Sequence, residues 1–197
     1  HNSYAISKYT QEMIAFVLGR RYEVPSVALR YSIVQGTRQS FRNAYSGALR
    51  IFAMQLLAAE RPTVYEDGEQ IRDYVYVGDV ARANLLALEE ARADFRAFNV
   101  GGGRQVTVNQ IARIVAKVCG RPDTEPIVGS EYRFGDTRHI SSDIAQLGEL
   151  GWRPTGTVER NVAEYLEWAQ QQDDFGDYAT QARDNMRQLG AVRGGER

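Results

Sequence analysis

Apolar positions recur along this chain with two different periods, and each change of period marks a change of element. Between Ser3 and about Tyr22, Ala5, Tyr9, Met13 and Phe16 form one stripe and Ile6, Ile14 and Val17 another, which predicts a helix with two apolar sides. Such a helix is expected to lie between a sheet and a second layer or a partner subunit. Pro25 ends it, and Ser26 to Tyr31 reads as a short buried strand. A loop rich in Arg, Gln, Asn and Ser follows from Gly36 to Ser46. Helical periodicity then returns from Ala48 to Ala59 through Leu49, Phe52, Met54, Leu56 and Leu57, closed by Pro62. Two β-type runs, Thr63 to Tyr65 and Tyr74 to Val77, flank Glu66-Asp67-Gly68-Glu69, whose Asp-Gly is a turn signal. Asp79 is the expected N-cap of a helix from Val80 to Ala91, and Phe95 to Val100 is a further strand. Thr107 and Gln110 have the spacing of a capping box, and Ile111, Ile114, Val115 and Val118 give the helix behind it an apolar face. After a loop with Pro122 and Pro126, a short helix is predicted from Ser142 or Asp143 to about Leu150. Gly151 to Pro154 forms a turn, and Thr157 opens a helix to about Gln172. Beyond Asp173 the composition turns polar, although Phe175, Tyr178, Ala182, Met186 and Leu189 keep the spacing of one docked helix. Strands alternating with helices give the α/β class.

Composition narrows what such a fold serves. The 197 residues are 43% hydrophobic and 25% charged, which excludes a disordered, collagenous or disulfide-stapled chain. With 24 Lys+Arg against 25 Asp+Glu and no basic run, the net charge of -1 argues against nucleic acid or a membrane surface as partner. The single cysteine, Cys119, cannot form an internal disulfide, and no apolar run nears the roughly 18 residues of a membrane span. A cytoplasmic protein with a small-molecule or protein partner is therefore expected. The chain opens on His1 and enters a helix almost at once, so a further N-terminal segment is expected upstream.

Tyr4 and Lys8 stand four residues apart on one face of the first helix. A phenol is a poor base at neutral pH, but an ammonium close by favours the phenolate, so the pair is a possible acid/base unit. Three other features are expected to be structural. Gly101-Gly102-Gly103 lacks the third glycine of a dinucleotide loop, since Val106 stands there, and reads as a tight turn. His139 has no second histidine nearby, so no metal site is expected, and Cys119 extends an apolar helix face.

The Tyr-Lys pair is followed in order by Ala28-Leu29-Arg30-Tyr31, Tyr65-Glu66-Asp67-Gly68, Arg72-Asp73-Tyr74-Val75-Tyr76-Val77-Gly78-Asp79-Val80, Phe98-Asn99-Val100-Gly101-Gly102-Gly103, Gly135-Asp136-Thr137-Arg138-His139 and Leu147-Gly148-Glu149-Leu150-Gly151-Trp152-Arg153-Pro154. From Tyr4 to about Trp168 this series resembles the C-terminal half of the extended short-chain dehydrogenase/reductase family, specifically its nucleotide-sugar epimerases and dehydratases. The resemblance implies the rear of a Rossmann-type doubly wound parallel sheet (residues 1–34 and 95–120), a small mixed α/β substrate domain (35–94 and 121–172) and a polar tail (173–197). It implies NAD as cofactor, a nucleotide-diphosphate sugar as substrate and a homodimer formed through the first helix. Tyr4 would be the catalytic acid/base, Lys8 would hold the nicotinamide ribose, and Tyr31 would sit beside the nicotinamide. Arg72 and Arg138 would meet the diphosphate, for which a planar guanidinium fork is well suited. Val64 and Tyr65 would line the base pocket. Gln39, Asn43 and Tyr45, on a loop at a strand end, would recognise the sugar.

Ser32-Ile33 depart from the Phe-Asn common in the family at that place, which puts the usual asparagine contact with substrate in doubt. The family's glycine-rich phosphate loop, its ribose-binding acid and the Ser/Thr partner of the catalytic tyrosine all precede the region matched here. The 197 residues alone are therefore expected to be inactive and to hold NAD weakly. The implied reaction is C4 epimerisation of an NDP-hexose through a 4-keto sugar that turns over before it is reduced again. The alternatives are an NDP-sugar 4,6-dehydratase, which shares the first oxidation, and a non-catalytic nucleotide-sugar-binding or dimerisation module.

Overall fold

The computed structural model describes residues 3–40, 47–133, 136–172 and 192–193. The elements in chain order are α1 (Ser3–Arg21), β1 (Ala28–Tyr31), β2 (Ile33–Gln35), α2 (Ala48–Leu57), β3 (Thr63–Val64), β4 (Ile71–Tyr76), α3 (Val77–Glu89), β5 (Ala97–Val100), β6 (Gln105–Thr107), α4 (Val108–Val118), β7 (Ile127–Val128), β8 (Tyr132–Arg133), α5 (Ala145–Glu149), α6 (Val158–Gln170) and β9 (Val192–Arg193). The expected helix beyond residue 173, like Asn43 and Tyr45, lies outside the described residues.

Three of the strand pairs are parallel: β1 with β5, β2 with β4, and β3 with β7. Parallel neighbours need a crossover connection, which the intervening helices supply. β4 lies between β2 and β6 and is antiparallel to the latter. The Asp-Gly turn after Tyr65 does not make a hairpin, because β3 and β4 pair with different strands. Gly68 in that turn has φ +75°, and a Cβ there would overlap the Asn109 side chain at 2.2 Å. The turn is thus clamped onto α4, with Asn109 Nδ2 donating to the Asp67 carbonyl at 3.0 Å.

β4 begins three residues earlier than its apolar run predicts, because Arg72 and Asp73 are buried too. Their polar groups are satisfied rather than solvated, a pattern that hydrophobicity alone cannot reveal. Beyond them, Tyr74 and Val75 point to opposite faces, one into each of two apolar clusters. The first cluster is built from α2, α4 and α6, with Leu49, Phe52, Ile111, Val115, Val162 and Tyr165 at its centre. The second joins α3, β5 and the α5 region through Val80, Ala83, Phe98, Val100, Leu147 and Trp152. Residues 95–120, expected to travel together, contribute to both: Phe98 and Val100 to the second cluster, Ile111 to Ala116 to the first.

The capping box forms as its spacing predicts. The Gln110 amide donates to Thr107 Oγ1 at 3.2 Å, and the Thr107 amide donates to Gln110 Oε1 at 2.9 Å. Thr157 caps α6 by accepting from the Arg160 amide at 3.2 Å. Asp79 corrects an expectation. The N-cap of its helix is Tyr76, and Asp79 sits within the first turn, fully buried. Its carboxylate accepts from the Thr155 and Gly156 amides at 2.9 Å each, from Thr155 Oγ1 at 2.9 Å, and from Arg82. Its carbonyl accepts from Trp152 Nε1 at 3.0 Å. Burial alone would raise the Asp79 carboxyl, but the hydrogen bonds from Gly156, Thr155 and Arg82 outweigh it and hold the group below its usual value.

Asp73 does comparable work on β4, accepting from the Gly102 amide at 2.8 Å and the Ser142 amide at 3.2 Å. The backbone can approach only because residue 102 is glycine: a Cβ there would lie 1.8 Å from the Tyr74 carbonyl oxygen. The glycine run is therefore a turn between β5 and β6, tied down by Asp73.

Two stability outcomes are expected. Gly102→Ala should cost at least about 2 kcal/mol in urea denaturation, since a backbone carbonyl cannot move aside as a side chain could. Asp79→Ala should cost about 2–4 kcal/mol at neutral pH by stranding buried amides. A lowered folded-state carboxyl contributes fully above its ordinary value of 3.8, and the contribution is lost as pH falls through the folded value. The gap between wild type and Asp79→Ala should therefore narrow when the melts are repeated near about pH 3.

Candidate functional site

Tyr4 and Lys8 project from the first turns of α1, where Tyr4 is 68% exposed. The Lys8 ammonium lies 5.7 Å from the centroid of the Tyr4 ring and donates to Gln11 Oε1 at 3.3 Å. The helix buries only Phe16 and Gly19. It is also tied to β1 by a two-pronged ion pair, Arg30 Nε and Nη2 donating to Glu12 at 2.8 and 2.6 Å. Of the apolar positions that predicted a two-sided helix, Ile6, Tyr9, Ile14 and Val17 are exposed.

Neighbouring residues on a strand point to opposite faces. Arg30 faces α1 through Glu12, whereas Tyr31 turns towards α3, its hydroxyl donating to Asn84 Oδ1 at 3.0 Å. Tyr31 also lines a cavity of about 240 Å³ with Val27, Leu29 and Leu88. Tyr31 thus points to the face of β1 opposite the one that meets Glu12 of α1. In the departing pair beside it, Ser32 Oγ donates to the Asp73 carbonyl at 2.7 Å, and Ile33 packs against the first cluster.

The two arginines do come together. Arg72, on β4, is nearly buried; its Nη1 donates to the carbonyls of Ile71 at 2.9 Å and Arg138 at 2.8 Å, and its Nη2 to Asp136 Oδ2 at 3.0 Å. Arg138 reaches Glu66 Oε2 at 3.2 Å and Asp67 Oδ2 at 2.6 Å. Beside the Arg138 guanidinium, the Asp67 carboxyl is held below its usual range, helped by the Glu69 amide. An Arg72–Asp73 ion pair, the simple alternative for that dipeptide, does not form, since strand alternation sends Arg72 to Asp136 and Asp73 to the glycine turn.

Residues 64–66 are stitched to 129–131. The Gly129 amide donates to the Val64 carbonyl at 3.0 Å, and the Glu66 amide to the Glu131 carbonyl at 2.8 Å. Val64 itself is fully buried in the first cluster, so its side chain is committed to the core and cannot line a base pocket. Tyr65 is half-buried beside it. Gln39 is also half-buried, and its Oε1 is inaccessible to solvent with no hydrogen-bond partner among the described residues. His139 accepts from the Ile71 amide through Nδ1 at 3.3 Å, a structural role that fixes the Arg138 segment against β4. Cys119 is half-buried against the first cluster, and burial pushes its thiol up to about 11.

The carboxylates around these groups, Glu12, Asp67, Asp73 and Asp136, were not singled out by spacing. Asp67, Asp73 and Asp136 lie in the quoted motifs, whereas Glu12 carries no signal beyond its place on the first helix.

Comparison with known proteins bears on this arrangement. The family model for the NAD dependent epimerase/dehydratase family matches residues 1–101. A dTDP-L-rhamnose 4-epimerase of Burkholderia thailandensis is 34% identical over 174 residues, covering 87% of this chain and 47% of its own. A dTDP-glucose 4,6-dehydratase of an Actinoplanes species is 30% identical, over 85% of this chain and 51% of its own. The crystal structure of UDP-glucose 4-epimerase with UDP-glucose from Thermotoga maritima superposes with a TM-score of 0.76 at 38% identity, covering 85% of this chain and 53% of that one. The chain thus spans about half the length of the curated relatives it matches. With a parallel α/β sheet, the ordered motifs in place and half of its length matched by that model, the chain belongs to the NAD dependent epimerase/dehydratase family.

Proposed function

We propose that this chain is the substrate-binding and catalytic-helix half of an NAD-dependent nucleotide-sugar epimerase that inverts C4 of an NDP-hexose. The observation that carries the reading is the convergence of Arg72 and Arg138. The Arg72 fork is oriented by two carbonyls, one of them from Arg138 itself. Arg72 meets the Arg138 main chain, so both guanidinium groups are carried by the same pairing of β4 with the 136–140 segment, which suits two linked phosphates, and relatives named as 4-epimerases support the reaction class. Tyr65 is proposed to lie against the base, and Gln39, with Asn43 and Tyr45, to meet the sugar.

The cofactor reading rests on Tyr4 and Lys8, an exposed phenol and ammonium on one helix face, which fit the nicotinamide ribose end. Tyr31, held by Asn84 on the other face of β1, adds no support to it. NAD, when bound, supplies the reversible hydride acceptor. On this reading Tyr4 accepts the C4 hydroxyl proton and later returns it, while Lys8 orients the ribose. The arginines keep the diphosphate in place while the sugar presents its other face.

Isothermal titration of the protein with UDP and dTDP tests the diphosphate site. Binding of at least one is expected, with Arg72→Ala weakening it by about tenfold or more, and no binding of either would overturn the reading. In a protein carrying the length of the relatives, UDP-glucose, UDP-N-acetylglucosamine or dTDP-glucose should give the C4 epimer, and Tyr4→Phe should abolish turnover. A 4-keto-6-deoxy product would establish the dehydratase alternative, which the Actinoplanes relative supports. Nucleotide binding without any turnover would leave only a binding module.

The exposed apolar face of α1, with Ile6, Ile14 and Val17, further supports a homodimer formed through that helix. Sedimentation should show a concentration-dependent dimer that Val17→Glu dissociates, and a monomeric wild type at all concentrations would remove the proposal. No helix among the described residues is long and apolar enough to cross a membrane. A cytoplasmic location is proposed on composition.

A further inference from the structure

The donors of Arg72 and Arg138 are not spread evenly over their partners. Arg72 directs both hydrogens of Nη1 at backbone carbonyls, which fixes the plane of its guanidinium and leaves the Nε–Nη2 edge as the one that can face an anion. On that edge, Nη2 meets Asp136. Arg138 engages a carboxylate at each terminal nitrogen, Glu66 at Nη1 and Asp67 at Nη2. Carboxylate and phosphate oxygens accept from a guanidinium in the same geometry, so both must compete for the same N–H vectors.

The two sides of the Arg72 pair differ in exposure, whereas those of the Arg138–Asp67 pair are alike at 48% and 52%. The Arg72 side chain is 10% exposed and pinned by main chain, whereas those of Asp136 and Asp67 are 36% and 52% exposed. An exposed carboxylate leaves such a pair at little cost, because water solvates it and the pair itself is weak. The turn that carries Asp67 does not depend on the pair, since Asn109 holds its carbonyl and Gly68 packs on Asn109. The Arg72 donor is therefore fixed, Arg138 is anchored through its carbonyl while its guanidinium stays half exposed, and the acid partners are exchangeable.

We propose that Asp136 and Asp67, assisted by Glu66, are internal competitors for the diphosphate, bound to the same guanidinium edges and displaced when a nucleoside diphosphate binds, so that they set the affinity of the site. The inference rests on the diphosphate reading of Arg72 and Arg138 and extends it to residues that touch the ligand only through competition. Their consequence is a site that releases its nucleotide more readily than two fixed arginines alone would allow.

Titration calorimetry of the 197-residue protein with UDP and with dTDP tests it. Asp67→Asn keeps an acceptor for the Glu69 amide, and Asp136→Asn keeps one for the Thr137 amide, so both variants retain the local turns. Each is expected to tighten binding about 2- to 5-fold, the upper part of the range in which exposed ion pairs act. Asp67→Glu should stay near wild type. The gain from Asp67→Asn should vanish when Arg138 is already alanine. Unchanged or weaker binding by both asparagine variants, with wild type still binding and Arg72→Ala defective, would overturn the competition and leave the diphosphate reading intact. A gain that persists in the Arg138→Ala background would also overturn it, as a general charge effect. Failure of the wild type to bind either nucleotide would remove the reading and the inference together.

Discussion

Two buried carboxylates in one segment hold this structure in its working shape. Asp73 on β4 and Asp79 in the first turn of α3 are buried, and apart from the Asp79–Arg82 pair their carboxylates serve segments outside their own elements. Asp73 anchors the glycine turn and residue 142, while Asp79 anchors residues 152–156. A buried carboxylate is tolerable only when its lone pairs are filled, and these are filled by amides of segments distant in sequence. The charge that would be costly if unpaired thereby fixes how the chain after β5 and after α5 returns to the central strand. Arg72 stands immediately before Asp73, so the same register that fills the Asp73 oxygens aims the guanidinium to the opposite face.

The chemistry of the site follows from that placement. A strand with both faces covered offers few places for a cation, and Arg72 takes one of them with its fork oriented by main-chain carbonyls, as the proposed diphosphate site requires. His139 holds the 136–140 segment to β4 by accepting from the Ile71 amide, which brings Arg138 to the same place. The overall charge of -1 is compatible with anion recognition, because two positioned arginines act at contact distance and need no basic surface. Tyr4 and Lys8 belong to a separate part of the molecule, on a helix fastened by Glu12 and Arg30 and otherwise little buried.

Most of the element boundaries were legible in the sequence because local chemistry dictates them. The Thr107–Gln110 box and the Thr157 cap need only their own first turns to form, and both do. What was illegible depended on partners far along the chain. Asp79 has the residue type and position of an N-cap, yet amides at 155 and 156 claim it for tertiary structure. Arg72 and Asp73 look like a surface pair or a loop, and only their long-range hydrogen bonds reveal a buried strand. Val64 sits beside Tyr65 in the motif, but the pleat turns it into the core. The family pattern therefore located the arginines and the Tyr-Lys helix, while the acids that hold or oppose them emerged only from geometry.

The central claim is that residues around Arg72 and Arg138 form a diphosphate site on the β4 face. Titrating isotope-labelled protein with UDP and dTDP, and following the backbone amides by NMR, tests it most directly. The largest shifts are expected on residues 65–73 and 136–139, with α1 little affected. Shifts confined to α1 and β1, or none at either segment, would contradict it.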